Sequence, residues 1–334
     1  MKLTRLCSSV VLAVVVLLTG CCKSSAPTDT PGLRAAIIAN YPAVDGSTSA
    51  HPLQRMLACD LLGVPCTWSA QSEESVQRTI IPDSEQAGQA GQAILEIKHN
   101  GTHGAYMNLI EGAADVILVA REPSADELQA AQENGVSLDV RPAALDAFVF
   151  MVNVKNPVES LPLDTLHDVY TGKITTWTEL GIRVDPESAG EEPIQAYQRE
   201  RNSGSQELME KLVMQGTPIV DAPNMIVETM LGPFNAIGGN PWTGEGDVWG
   251  LGYSVYYYAG FMFPHEYVKL IGVDGVLPTS ENIASGAYPL ATEVYVAVRQ
   301  GTPQDSTAII FRDWLLSDDG QRVVEESGYV PLPE

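Results

Sequence analysis

The sequence predicts an α/β protein in which helices are layered against a largely parallel sheet. Segments with apolar residues at the 3.6-residue period alternate with short apolar, strand-like runs along most of the chain. Three times, small hydroxyl residues stand where the chain turns into such a helix: Ser47, Thr48 and Ser49; Thr102; Ser203 and Ser205. A run at 147–154, apolar but for Asn153, is long enough to pass from one domain to another.

At the N-terminus, Lys2 and Arg5 precede an apolar run at 10–18, followed by Leu18-Thr19-Gly20-Cys21. That run is well short of the roughly 20 residues a helix needs to span a bilayer. A basic start, a short apolar stretch and small residues before a cut site describe an export signal over residues 1–20. Leu-Thr-Gly-Cys in that setting resembles a bacterial lipobox, which implies cleavage before Cys21 and lipid attachment to its thiol; an ordinary signal with an incidental cysteine is the alternative. Residues 21–32 have the composition of a flexible tether. The expectation is an exported globule, lipid-anchored to the outer face of the cytoplasmic membrane or periplasmic.

The formal charge of −23 moves to near −25 once Lys2 and Arg5 are removed with the signal. Such an acidic chain is a poor partner for nucleic acid or an anionic membrane surface. A small anion is not excluded, because a buried cradle works through local dipoles and hydrogen bonds. Cys59 and Cys66 form either a small-loop disulfide, in a compartment that permits oxidation, or two reduced buried thiols. The sequence carries no C-x-x-C pair, no H-E-x-x-H and no clustered ligand set, so no metal and no cofactor is expected.

In chain order, Leu53, Met56, Leu57 and Leu61 keep helical spacing after Asp45-Gly46-Ser47-Thr48-Ser49, and Pro52 is tolerable in the first turn. His99-Asn100-Gly101-Thr102-His103-Gly104 precedes a second helix carrying Tyr106, Leu109 and Ile110. An apolar strand at 115–120 ends at Arg121 and Glu122. Residues 163–170 read as a short helix stopped at Gly172, and 185–193 as an acidic surface loop. In the third cradle, Ser203 and Gln206 have capping-box spacing ahead of Leu208, Met209, Leu212 and Val213. Free N–H groups of that first turn favour a negative guest, and Arg199 adds a two-pronged charged grip. Residues 252–258 form an aromatic strand expected in the core, 293–298 another strand, and 308–316 a closing helix. No repeat of 20–50 residues is present.

Taken together, these stretches resemble the phosphate-binding lipoproteins of bacterial phosphate importers, in the type II periplasmic-binding-protein superfamily. The resemblance rests on Asp45-Gly46-Ser47-Thr48-Ser49, on residues 115–121, on Asn156-Pro157-Val158 through Trp177, on Arg199 to Ser205 as R-x-x-x-S-G-[ST], and on the C-terminal pattern around Trp314 and Tyr329. It implies two α/β lobes joined by crossing strands: lobe I from 33–146 plus 287–334, lobe II from 147–286, closing about a ligand by hinge motion. It implies no enzyme but a monomeric solute-binding protein that delivers inorganic phosphate to an ABC permease and its ATPase. The alternative is a sensory or adhesion lipoprotein of the same fold that takes another oxyanion or a phosphorylated metabolite.

Carried over residue by residue, the resemblance implies ligand contacts from Thr48, Ser49, Thr102, Gly104, Arg121, Arg199, Ser203, Gly204 and Ser205. The chain departs from the family where some members place an aspartate that accepts the phosphate proton; that position here is Arg121. Asp45 or Glu122 could take the acceptor role, and either could equally be a cap or an ion-pair partner. His103 faces the cleft or the surface, and the surface is the expected place.

Overall fold

The structure, a computed structural model, describes residues 37, 39–72, 76–187 and 190–333. The expected signal at 1–20, Cys21 and the tether at 21–32 lie outside the described residues. No described helix is long and apolar enough to cross a membrane.

The chain opens with β1 (Val44–Gly46), α1 (His51–Leu62), β2 (Cys66–Trp68), β3 (Ile80–Pro82) and α2 (Ser84–Leu95). It continues through α3 (Gly101–Glu111), β4 (Val116–Val119), α4 (Ala125–Glu133) and β5 (Leu138–Asn153). Next come β6 (Ser160–Leu161), α5 (Leu163–Tyr170), β7 (Gln195–Ala196), β8 (Gln198–Arg199) and α6 (Gly204–Met209), which runs on as a π-helical turn, Glu210–Met214. The last part contains β9 (Ile226–Val227), α7 (Gly232–Gly238), β10 (Gly250–Val255), β11 (Val268–Val273), α8 (Ser280–Ala284), β12 (Ala291–Arg299), α9 (Thr307–Leu315) and α10 (Asp318–Ser327).

One sheet of eight strands runs in the order β1-β4-β12-β5-β10-β7, with β11 on β5 and β6 on β11. Pairing is parallel at β1–β4, β7–β10, β6–β11 and in the separate β8–β9 pair. It is antiparallel at β4–β12 and wherever β5 takes part. β5 is the element about which the rest is arranged. Its residues up to Ala147 pair with β12; from Phe148 onward they pair with β10, and Phe150 stands opposite both Tyr253 and Ile271. Such a strand is buried on both faces, which is why 148–152 reads as unbroken apolar sequence and is fully buried.

β5 is longer than the apolar run suggested. It starts at Leu138, and its first half contains Arg141 and Pro142. Opposite Val294 and Tyr295 the register jumps from Ala144 to Pro142, a bulge that leaves proline's missing N–H without consequence. The aromatic strand is shorter than expected: β10 stops at Val255, and Tyr257 and Tyr258 already belong to a helical turn. Tyr253 packs with Phe148, Phe150 and Tyr170 in the core. In the acidic 185–193 loop Glu192 is fully buried, because its carboxylate accepts from the Val184 and Asp185 amides. Cys59 at the end of α1 and Cys66 on β2 are joined by a disulfide.

Candidate functional site

Three helix starts border one cavity of about 670 Å³. The first is the turn from β1 into α1. Gly46 is needed there, since a Cβ would fall within 2.2 Å of the Leu118 carbonyl oxygen. That closeness lets the Ser47 amide donate to the same oxygen at 2.9 Å and docks the turn on the end of β4. The Ser47 hydroxyl accepts from the Ala50 amide at 3.2 Å, and Thr48 and Ser49 are presented to the cavity.

The second is the start of α3, which Asp45 holds in place. Its carboxylate accepts from the Asn100 amide (3.0 Å), the Asn100 side chain (2.7 Å), the Asn108 side chain (2.6 Å) and the Gly46 amide (2.7 Å). Thr102 and Gly104 then line the cavity. The Thr102 hydroxyl is buried and has no hydrogen-bond partner among the described residues. An orphaned buried hydroxyl costs free energy, so a site that supplies a partner gains it back.

The third lies between β8 and α6. Ser203 Oγ accepts from the Gln206 amide at 3.2 Å, which is half of the expected capping box. The other half is diverted: the Gln206 side-chain oxygen takes the Arg199 amide at 3.2 Å and the Tyr253 hydroxyl. Glutamine at this place ties the helix start to the core strand β10. Gly204 lies so close to α3 that a Cβ on it would be 2.9 Å from Thr102 Oγ1.

Arg199 gives the cavity its charge. It is 6% exposed, and its guanidinium donates to the Val227 and Glu228 carbonyls (both 3.1 Å), to Ser205 Oγ (3.3 Å) and to Met230 Sδ (3.1 Å). No carboxylate among the described residues forms an ion pair with it, and burial pulls its pKa below the ordinary arginine value. A buried cation held only by neutral groups is the arrangement a small anion completes.

Eight of the nine residues expected as ligand contacts border this cavity: Thr48, Ser49, Thr102, Gly104, Arg199, Ser203, Gly204 and Ser205. Arg121 does not. Its terminal nitrogens grip the fully buried Glu127 at 2.8 and 2.9 Å, and its Nε lies 2.9 Å from Glu207 Oε2 without directing an N–H at it. Neither expected acceptor is available either. Asp45 is saturated by its four donors, and Glu122 is an exposed partner of Lys211 at 2.9 Å. His103 lines the cavity rather than the outer surface, with Nδ1 3.0 Å from Glu127. Sequence reasoning missed Met230, Arg201 and Asn202 on the cavity wall. Only Asn202 left a trace: asparagine tolerates the left-handed backbone it adopts, φ 72°. The arrangement can hold a tetrahedral oxyanion among helix N–H groups, hydroxyls and one guanidinium.

A family model described as a PBP superfamily domain matches residues 77–319. The chain is 26% identical over 262 residues to phosphate-binding protein PstS of Pseudomonas aeruginosa, covering 72% of this chain and 74% of that one. It is 26% identical over 303 residues to protein SphX of Synechocystis, covering 83% and 84%. An ABC-type phosphate transport receptor from Vibrio cholerae superposes with a TM-score of 0.58 at 22% identity, over 87% of this chain and 99% of that one. A phosphate-binding protein from Stenotrophomonas maltophilia does so with 0.54 at 12% identity, over 87% and 91%. At those identities the two structures establish likeness of fold.

Proposed function

This chain belongs to the PBP superfamily, and we propose that it captures inorganic phosphate in the cavity bordered by Arg199 and hands it to an ABC importer. The observation that carries this reading is the buried Arg199 guanidinium, without a carboxylate partner among the described residues and set where three helix starts meet. The names of the relatives supply the anion: proteins called phosphate-binding align over most of the chain. In this reading the protein binds and releases its ligand unchanged and is not an enzyme. It acts as a monomer outside the cytoplasmic membrane, held by lipid on Cys21, with a permease and ATPase as partners.

The change of partners along β5 supports a lobe boundary near Ala147, with 33–146 plus 287–334 on one side and 147–286 on the other. Ser49 and Thr102 then reach the anion from one lobe, and Arg199, Ser203, Gly204 and Ser205 from the other. Closure brings the two sets together.

Calorimetric titration of residues 33–334, stripped of bound ligand by partial unfolding, tests the reading. Phosphate is expected to bind, and Arg199→Ala to weaken it by about 2–5 kcal/mol, the scale for removing one side of a buried charged contact. Unchanged affinity in Arg199→Ala would refute this site.

A further inference from the structure

Arg199 keeps one weak partner on the cavity wall. Met230 stands in the turn between β9 and α7. Gly232 closes that turn tightly, since a Cβ on it would fall 2.6 Å from the Val227 side chain. The turn sets the Met230 thioether against the guanidinium, with Sδ 3.1 Å from Nη1 and 4.0 Å from Ser205 Oγ. The other guanidinium bonds go to oxygen: the Val227 and Glu228 carbonyls and the Ser205 hydroxyl. A thioether sulfur is a poor acceptor beside any of these. The N–H that faces it is therefore the one an oxyanion takes at least cost, because a charge-assisted bond replaces a weak one.

Met230 is also within an oxidant's reach. It is half-buried, and among the described methionines it alone lines the cavity. Met151, Met209, Met214 and Met262 are at most 1% exposed, while Met56, Met107 and Met225 are half-buried away from that wall. An opening that admits phosphate admits hydrogen peroxide, which is smaller. The Cys59–Cys66 bridge belongs to a compartment that permits oxidation. We propose, resting on the phosphate reading above, that Met230 is an oxidation site that governs the grip of Arg199: a peroxide turns its thioether into a sulfoxide, whose oxygen occupies the N–H the anion needs. Sulfur gives up two electrons, the peroxide O–O bond breaks, an S–O bond forms, and the second oxygen leaves as water. The new oxygen is a strong acceptor, and methionine's three torsions let it settle on Nη1. Enzymatic reduction of the sulfoxide restores the thioether, so the block is reversible.

The wild-type protein is titrated with phosphate before and after hydrogen peroxide, with oxidation of each methionine followed by peptide mass spectrometry. Oxidation at Met230 should weaken phosphate binding by about tenfold to a hundredfold, the worth of one hydrogen bond to a charged group. The melting temperature should hardly move. A triple variant, Met56→Leu with Met107→Leu and Met225→Leu, should respond to peroxide as the wild-type protein does. Met230→Leu should keep through the treatment whatever affinity it has before it. Met230→Gln puts an amide oxygen in place of the sulfoxide and should bind about tenfold or more weaker than Met230→Leu with no oxidant added. Unchanged affinity in wild-type protein whose Met230 is oxidised overturns the proposal, as does a Met230 that resists peroxide while Met225 yields. Equal peroxide sensitivity in Met230→Leu, equal affinities of the Gln and Leu variants, or a loss of binding matched by a collapse in melting temperature overturn it too. If the untreated wild-type protein binds no phosphate, the phosphate reading itself falls, and this one with it.

Discussion

Asp146→Asn should make the protein more stable above neutral pH and hardly change it in acid. Asp146 is 2% exposed, one residue before β5 changes partners. One oxygen accepts from the Ala147 amide at 2.8 Å and the Tyr257 amide at 3.0 Å, while the other is buried without a partner. Burial pushes its pKa from 3.8 up to about 7, against the two amide hydrogen bonds that pull it down. The native protein therefore holds this proton where the unfolded chain has lost it. Between those two values stability falls as pH rises, and above about pH 7 the full cost of the buried charge is present. A difference of about 3 pKa units at about 1.4 kcal/mol each comes to about 4 kcal/mol.

Asparagine keeps the accepting oxygen but leaves its NH₂ where the unpartnered oxygen was, a cost of about 1 kcal/mol that does not vary with pH. The quantity to measure is the variant-minus-wild-type unfolding free energy from urea titrations at pH 4 and pH 8.5. It should rise by about 4 kcal/mol between them. A difference that stays constant within about 1 kcal/mol would refute the reasoning. His51 works in the opposite sense. Burial, then the charges of Arg55 and His99, lower its pKa from 6.5 to about 3, so the unfolded chain binds that proton first and stability is lost as pH falls below about 6.5. The two slopes oppose each other in mild acid, and Asp146→Asn should leave the His51 limb standing alone.

Three other perturbations separate binding from stability. Thr102→Val should weaken phosphate binding by about 1–3 kcal/mol while leaving thermal stability level or raised, because the deleted hydroxyl has no partner among the described residues; a loss of both in melting and titration would contradict that. Gly204→Ala places a methyl group 2.9 Å from Thr102 Oγ1, so titration should show weaker binding with the melting temperature little changed. Reduction of the Cys59–Cys66 bridge, which closes a loop with a sequence separation of 7, should cost about 2.5 kcal/mol of unfolding free energy, measured in urea with and without reductant.

What could be read in the sequence was local. The hydroxyl-bearing turns before α1, α3 and α6 were legible because small turn residues and helical period lie within a few residues of each other, although only Ser203, before α6, caps its helix with its side chain. So was the crossing strand, whose burial on both faces writes an unbroken apolar run. The parts that were not legible depend on partners far along the chain. Asp45 is claimed by Asn100, just before α3, and by Asn108 on α3, and Arg121 is claimed by Glu127 and by Glu207 on α6. Nothing within a short window distinguishes an arginine that will meet an anion from one already held by two glutamates. The first half of β5 was hidden by Pro142, which argues against a central strand until the bulge opposite Tyr295 is seen.

The same pair of neighbours, Arg121 and Glu122, touches α6 and its π-helical extension twice, at Glu207 and at Lys211. Any movement that carries α6 away from β4 has to part both contacts. The outer pair is more than half exposed on each side and is screened by dissolved ions; the inner one has Arg121 only 5% exposed and feels them far less. The hydrogen bonds around Arg199, itself 6% exposed, join it to neutral groups. In the proposed two-lobe reading, ionic strength therefore acts as a dial on how readily the jaws part, with little purchase on how firmly they bite.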